Sequence, residues 1–185
     1  MSVKLADWVA CLGVACPSDL TVTGVSIDSR TTQPGDLFIA LPGSKNDGHT
    51  YIEQAVAKGA VACLVERFVA TSIVQLQVQC TQTALTQMAH NHRQQWSGTV
   101  IAITGSCGKT TTKDLLATIL AQEGPCVCTS GNQNNHLGVP LTVLKCRPHH
   151  RYAVIEMGIN RPNELKHLMD CAMPHIAVVT MAGAS

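Results

Sequence analysis

Charge is scarce in this chain. Charged residues fill only 14% of its 185 positions, the formal net charge is +1, and no block of like charge occurs. That excludes the basic stripe of a nucleic-acid-binding surface and the polybasic patch of a protein held to an anionic membrane. Long apolar runs are missing too. No segment approaches the eighteen or so residues a membrane helix needs, and Met1-Ser2-Val3-Lys4-Leu5-Ala6-Asp7-Trp8 lacks a basic region followed by an apolar stretch. The expectation is a soluble, unexported, cytoplasmic protein. Nine cysteines are present, but the number is odd and they form neither a CxxC pair nor a Cys/His alternation. Neither a disulfide framework nor a zinc site is expected. Most of the cysteines, Cys11 and Cys63 among them, read as small core residues in a reducing compartment. Cys126 and Cys128 would face opposite sides of a strand, a poor metal pair. No internal repeat or low-complexity segment occurs.

The length leaves room for two small domains. Apolar residues at Leu5, Trp8, Val9 and Leu12 share one face of a short helix. Residues 22–28 alternate like a strand, 37–41 form a buried-strand candidate, and 51–58 read as a helix stopped by Gly59. Strands follow at 61–65 and 73–78, then a helix over 81–95 whose threonines can cap its free N–H groups. After Ser97-Gly98 the pattern becomes strand, loop and helix in repetition: strands at 100–104, 126–129, 152–156 and 176–180, helices at 109–122 and 162–171. Such a run builds a parallel sheet whose ligands collect at the carboxyl ends of the strands. The fold class is therefore α/β: a small α/β unit over residues 1–80, a connecting helix and linker over 81–98, and a parallel-sheet domain over 99–185. That last domain is expected to be cut short, because the sequence stops five residues after its last strand.

Thr104-Gly105-Ser106-Cys107-Gly108-Lys109-Thr110-Thr111 sits between the first strand of that domain and its first helix. A turn of small residues here lets backbone N–H groups close around phosphate oxygens. The helix N-terminus adds partial positive charge, Lys109 supplies a mobile cation for the outer phosphates, and Thr110 offers a hydroxyl to Mg²⁺. ATP is the expected ligand, and it should shield Cys107 from alkylation. The form is the shorter TGxxGKT, since Ile103 stands where the longer pattern has its first glycine. The plainer alternative is a Gly-rich turn with a solvated lysine.

Other polar clusters carry less on their own. Glu156 ends an apolar strand and would emerge at the sheet end that carries the loop, either as a magnesium ligand or as an ion-paired carboxylate. Gly131-Asn132-Gln133-Asn134-Asn135-His136-Leu137-Gly138-Val139-Pro140 is dense in amides, suited to peptide or sugar groups or simply to turns. In the first domain, Arg30 and Lys45 could meet a diphosphate. Asp28-Ser29 could equally cap a turn, and Asn46-Asp47-Gly48 could be a tight loop whose glycine takes a positive φ.

Taken together, Asp28-Ser29-Arg30, Pro34-Gly35-Asp36-Leu37-Phe38-Ile39-Ala40, Asp47-Gly48-His49, the TGxxGKTTTK loop, the amide-rich segment running on to Leu141-Thr142, and Ile155-Glu156-Met157-Gly158 resemble the Mur ligases. Within that family the likeness is to the branch that adds D-alanyl-D-alanine. The resemblance implies an N-terminal domain for UDP-N-acetylmuramoyl-tripeptide, a central ATPase domain, and a third domain beyond this sequence. It implies that Lys109 steadies the β- and γ-phosphates and that Thr110 and Glu156 hold Mg²⁺. Asn134 and Asn135 would lie along the muramoyl-peptide path, and Ser29, Arg30, Asp47 and His49 match positions of the UDP pocket. The implied reaction moves the γ-phosphoryl of ATP onto the tripeptide carboxylate, after which the amine of D-alanyl-D-alanine attacks the acyl phosphate. The full-length protein is expected to be monomeric. Cys107 stands where the family has asparagine or serine, and Met181 where it has asparagine. The family's following histidine and magnesium-supporting lysine lie past Ser185, so this chain alone is expected not to turn over. The other readings left by the residues are a non-catalytic nucleotide- or UDP-sugar-binding module and another phosphate-loop phosphotransferase.

Overall fold

The computed structural model describes residues 2–43, 46–159 and 163–183. Two compact units emerge, Met1–Met88 and Ala89–Ser185. The first contains β1 (Val3–Lys4), α1 (Leu5–Val9), β2 (Thr21–Val22), β3 (Gly24–Ser26), β4 (Asp36–Ile39), α2 (Ile52–Ala57), β5 (Ala62–Val65), β6 (Val74–Gln77) and the start of α3 (Thr81–Gln95), inside which the division falls. Its main sheet is parallel, in the order β3-β4-β5-β6. Every residue of β4 and β5 is buried, as expected of parallel strands covered on both faces. Phe38, Ile52, Ala55, Cys63 and Val65 form the core there, each large apolar side chain contributing about 1.5–3 kcal/mol by burial.

The single strand expected over residues 22–28 is broken at Thr23. The Thr23 amide donates to the Gly35 carbonyl at 2.9 Å and its hydroxyl to the Pro34 carbonyl at 3.0 Å. The chain therefore leaves an antiparallel pairing of β2 with β1 and enters the parallel pairing of β3 with β4. The start of α3 also differs from expectation. Thr81 does not cap it; the Glu66 carboxylate at the end of β5 does, accepting from the Thr81 amide at 2.8 Å and its hydroxyl at 3.0 Å.

The second unit contains β7 (Thr99–Thr104), α4 (Lys109–Glu123), β8 (Cys126–Cys128), α5 (Gly138–Val143), β9 (Tyr152–Glu156), α6 (Glu164–Ala172) and β10 (Ile176–Val179). Its sheet is parallel, in the order β10-β7-β9-β8. α4 packs over β7, β8 and β9, and α5 packs between β9 and α6. Edge strand β10 leaves Ile176 and Val179 more than half exposed. The expected helix start at Pro162 lies outside the described residues.

The cysteine expectation is corrected. Cys63, Cys146 and Cys171 are buried, but Cys11, Cys80 and Cys107 are exposed and the remaining three are half-buried; all nine are free thiols. Cys11 lies past the buried face of α1, in the 3-10 turn Ala10–Leu12, which buries no residue. Among the described residues, no helix is long and apolar enough to cross a membrane.

Candidate functional site

The parallel pairing of β7 with β9 builds the centre of the second unit. Its register sets Ile103 opposite Glu156, so β7 runs into the glycine-rich loop at the sheet end where β9 finishes on its carboxylate. Thr104 is buried and ties the two exits together, donating to the Met157 carbonyl at 2.9 Å. Gly105 and Gly108 have φ of 134° and 81°, turns that side chains with a Cβ resist. Gly108 is the residue before α4 and accepts from the Thr112 amide at 3.0 Å. A helix of fifteen residues thus starts at Lys109 with its positive dipole end against the loop.

Glu156 is only 2% exposed, and a carboxylate so placed needs partners. Its Oε2 accepts from Thr110 Oγ1 at 2.9 Å and its Oε1 from Asn134 Nδ2 at 2.8 Å. Its amide donates to the buried Thr129 hydroxyl at 2.9 Å. Thr129 is held in turn by Lys113, a 3% exposed residue on the inner face of α4, whose Nζ donates to the Thr129 carbonyl at 3.1 Å and meets Asp114 Oδ1 at 3.0 Å. Lys113 and Thr129 were not among the expected site residues. The signal was the lysine that closes the TGxxGKTTTK motif, one turn into α4, with nothing in the sequence to say that it points inward.

The oxygens of Thr110 and Glu156 fit a hard divalent cation such as Mg²⁺, which favours oxygen donors and keeps water and phosphate oxygens in its shell. Among the described residues no group of three or more His, Cys, Asp or Glu side chains could hold a metal without such help.

The loop is partly closed on the chain itself. Lys109 Nζ donates to the Gly105 carbonyl at 2.6 Å, and the Ser106 amide to the Met181 carbonyl at 2.9 Å. Ser106 Oγ exchanges hydrogen bonds with Gly183, and Thr180 Oγ1 donates to the Cys107 carbonyl at 2.5 Å. Met181 takes part through its main chain, so this contact does not depend on which side chain stands there. The first-turn amides of α4, Lys109 to Thr111, precede any intrahelical acceptor and form the donor set aimed at the loop. Thr111 is exposed at that end.

The amide-rich segment divides its labour. Asn134 reaches Glu156, with its carbonyl fixed by the Gly158 amide at 2.8 Å. Asn135 turns the other way: its Oδ1 accepts from the Leu137 and Gly138 amides at 3.0 and 2.9 Å and so starts α5. α5 replaces the loop expected there, with Pro140 in its first turn, where a missing N–H costs nothing. His136 is exposed.

In the first unit, Asp28, Ser29 and Arg30 line a cavity of about 440 Å³ with Asn46, Tyr51 and Gln54. Ser29 Oγ donates to Gln54 Oε1 at 2.7 Å. Arg30 is 79% exposed and paired with Asp28, whose carboxyl the guanidinium holds down to about 2. Tyr51 and Gln54 were missed because they sit in a helical turn whose pattern reads as packing. Lys45 lies outside the described residues. Asp47 and His49 are engaged within the chain. Asp47 Oδ2 is engaged by Arg67, and its Oδ1 by the His49 amide and ring Nδ1 at 3.0 and 2.6 Å. The His49 side chain is 1% exposed, and its Nε2 accepts from the Glu66 amide at 2.9 Å. Gly48, expected to need a positive φ, does not adopt one. It is small because a Cβ there would stand 2.7 Å from the Leu41 amide nitrogen and 2.8 Å from its carbonyl oxygen.

Comparison with known proteins agrees with this architecture. Residues 21–102 match the family model described as the Mur ligase family catalytic domain, and residues 103–185 the one described as the Mur ligase middle domain. The UDP-N-acetylmuramoyl-tripeptide–D-alanyl-D-alanine ligase of Escherichia coli is 41% identical over 91% of this chain and 37% of its own length. A solved structure of the corresponding D-alanyl-D-alanyl ligase from Acinetobacter baumannii covers the whole chain at a TM-score of 0.90 and 36% identity, using 43% of that protein. MurF ligase from Thermotoga maritima, solved in complex with ADP, aligns over 91% of this chain and 40% of its own, at a TM-score of 0.76 and 34% identity. The chain spans a little over a third of the length of such curated relatives. The chain belongs to the Mur ligase family.

Proposed function

We propose that this chain forms the UDP-substrate-holding and nucleotide-gripping parts of a cytoplasmic, ATP-dependent ligase. That ligase adds D-alanyl-D-alanine to UDP-N-acetylmuramoyl-tripeptide through an acyl phosphate, a step of peptidoglycan precursor synthesis. The division of labour follows residues 1–80 for the UDP end of the substrate, 81–98 as connection and 99–185 for ATP. The observation that carries the reading is the 2.9 Å contact between Thr110 and Glu156 at the mouth of a TGxxGKT loop. A hydroxyl from the first turn of α4 and a carboxylate from the end of β9 converge beside the loop, where they would hold Mg²⁺.

The chemistry demands this arrangement. A carboxylate attacking ATP brings anions together, and the charge on the transferring phosphoryl must be met by fixed positive groups. The α4 N-terminus supplies fixed amide donors. Lys109 supplies a flexible ammonium, which exchanges the Gly105 carbonyl for the outer phosphates. Thr110 and Glu156 would hold Mg²⁺, which when bound neutralises phosphate charge. Asn134 keeps Glu156 Oε1 oriented, so that the carboxylate need not reorganise when ligand enters. Cavity residues Ser29 and Arg30 would take the diphosphate of the muramoyl substrate, Arg30 by exchanging its exposed pairing with Asp28 for a phosphate.

Titration calorimetry tests the proposal. The chain is expected to bind Mg-ATP and UDP-N-acetylmuramoyl-tripeptide separately. Lys109→Ala should abolish the first and spare the second, while Arg30→Ala should weaken only the second. A chain that binds neither ligand while fully folded overturns the proposal.

A further inference from the structure

The Asp47-Gly48-His49 triplet holds side chains too committed to act as ligand contacts, yet it runs through the wall of the 440 Å³ cavity, where Asn46 and Gly48 both take part. The protonation pattern of His49 follows from its neighbours. The Glu66 amide can only donate, so Nε2, at 2.9 Å, must carry the lone pair. The ring proton therefore sits on Nδ1 and is donated to Asp47 Oδ1 at 2.6 Å. Asp47 is a good acceptor because Arg67 and the His49 amide hold its carboxyl well below the usual range. Gly48 lets the triplet lie directly against the main chain of Leu41, its amide donating to the Leu41 carbonyl at 2.9 Å. Glu66, whose amide meets the ring, also sends its carboxylate to the start of α3.

We propose that His49 is a positioning residue. As the neutral Nδ1–H tautomer, it splints the Asn46–Gly48 wall of the cavity to the end of β5 at Glu66, and so sets the cavity's affinity for a nucleoside diphosphate without touching it. The reading rests on the proposed UDP-substrate role of this cavity. Removing the ring takes away the acceptor for the Glu66 amide and one donor to Asp47 together. The loop then keeps its main-chain contact to Leu41, its ion pair to Arg67, the His49 amide on Asp47, the Thr50 bonds to the Asp47 carbonyl and the pairing of Tyr51 with Asn46. It loses the ring that ties this wall to the Glu66 amide at the end of β5.

The probe is UDP. In wild type, ¹⁵N-detected histidine spectra should report an Nδ1–H tautomer for His49 that does not change when UDP saturates the chain. His49→Ala should weaken UDP binding by about tenfold, the scale of one lost hydrogen bond that leaves a buried partner unpaired. It should also speed hydrogen exchange at the amides of residues 46–48. His49→Gln can present an acceptor to Glu66 and should recover part of both losses. Ring signals that shift on UDP addition, an Nε2–H tautomer, or folded His49→Ala with unchanged affinity and exchange would each overturn the proposal. If wild type binds no UDP, the ligand assignment of the cavity fails and the affinity half of the proposal with it. The tautomer and the exchange rates still decide whether the splint exists.

Discussion

Thr110 Oγ1 and Glu156 Oε2 lie 2.9 Å apart although 46 positions separate them in the chain. Neither residue is remarkable locally: one starts a helix and the other ends a strand. The parallel pairing of β7 with β9 makes them neighbours, and the burial of Glu156 gives the contact its consequence. A divalent cation held by both oxygens would take the place of this hydrogen bond, with the threonine hydroxyl keeping its proton and turning it elsewhere. Thr110→Val and Glu156→Gln are therefore expected to weaken Mg-ATP binding about 10–100-fold, the range seen when groups that hold or orient a metal are lost. Both should lower the affinity for metal-free ATP much less. Calorimetry with and without Mg²⁺ checks this, and equal losses in the two conditions would remove the metal role.

Asn134 should behave differently. Its Nδ2 is the recorded partner of Glu156 Oε1, so Asn134→Ala leaves a buried carboxylate oxygen short of a donor. A stability loss of about 1–3 kcal/mol is expected, read as a lower denaturant midpoint without ligand. The loss should shrink when saturating Mg-ATP gives that carboxylate a cation. A midpoint unchanged in the absence of ligand would mean that water replaces the amide without cost.

The thiols give a mapping experiment with internal controls. Burial pushes Cys63, Cys146 and Cys171 up to about 12, so they should resist alkylation of the native chain at pH 8. Cys80 is exposed, and hydrogen bonds from the Thr83 hydroxyl and amide hold its thiol below the ordinary value, so it should label rapidly. Cys107 is exposed within the loop. Saturating Mg-ATP should slow labelling of Cys107 while leaving Cys80 unchanged, as mass spectrometry of the labelled peptides would reveal. Unchanged labelling at Cys107 would place the nucleotide elsewhere.

The Asp28–Arg30 pair has a pH signature. The folded Asp28 carboxyl is lowered to about 2, chiefly by the Arg30 side chain, against about 3.9 in an unfolded chain. A depressed carboxylate contributes stability that is complete above the unfolded value and lost as pH falls through the folded one. The stability gap between wild type and Arg30→Ala should be steady from pH 7 to about 5 and close between about 4 and 2. The pair is largely solvated, so the gap itself will be small. Chemical denaturation across this range provides the measurement.

The strand–loop–helix rhythm of residues 99–180 was legible because parallel strands buried on both faces read as continuous apolar runs, and the phosphate loop because glycine, lysine and threonine have few other reasons to stand in that order. What could not be read was which way side chains turn once the loop is made. Asn134 and Asn135 are adjacent and chemically identical, yet one reaches Glu156 and the other starts α5. Asp47 and His49 look like ligand contacts because polar residues in a glycine loop usually face water. Here the histidine turns inward onto Asp47 and the Glu66 amide, beside a glycine packed against Leu41. The break at Thr23 was equally hidden, since it depends on a carbonyl twelve residues away.

Gly105 offers the sharpest test of the loop. Its φ of 134° lies where side chains with a Cβ are strained, and a Cβ there would stand 2.3 Å from Thr180 Oγ1 and 2.9 Å from both the Met181 amide nitrogen and its carbonyl oxygen. The two main-chain atoms cannot swing aside as a flexible side chain could. Gly105→Ala must therefore push residues 180–181 away from the loop, breaking the contact of the Ser106 amide with the Met181 carbonyl. Overpacking of this kind costs about 1–3 kcal/mol, so the variant should remain folded but melt earlier and lose measurable Mg-ATP binding. Thr180→Ala separates the causes: it removes the hydroxyl oxygen nearest the added Cβ, at the loss of its bond to the Cys107 carbonyl. In the double variant Gly105→Ala/Thr180→Ala, the clash with the Met181 main chain remains and binding should stay lost. Full recovery in the double variant would instead locate the constraint in the threonine hydroxyl, and the loop would be held by that side chain rather than by the main chain behind it.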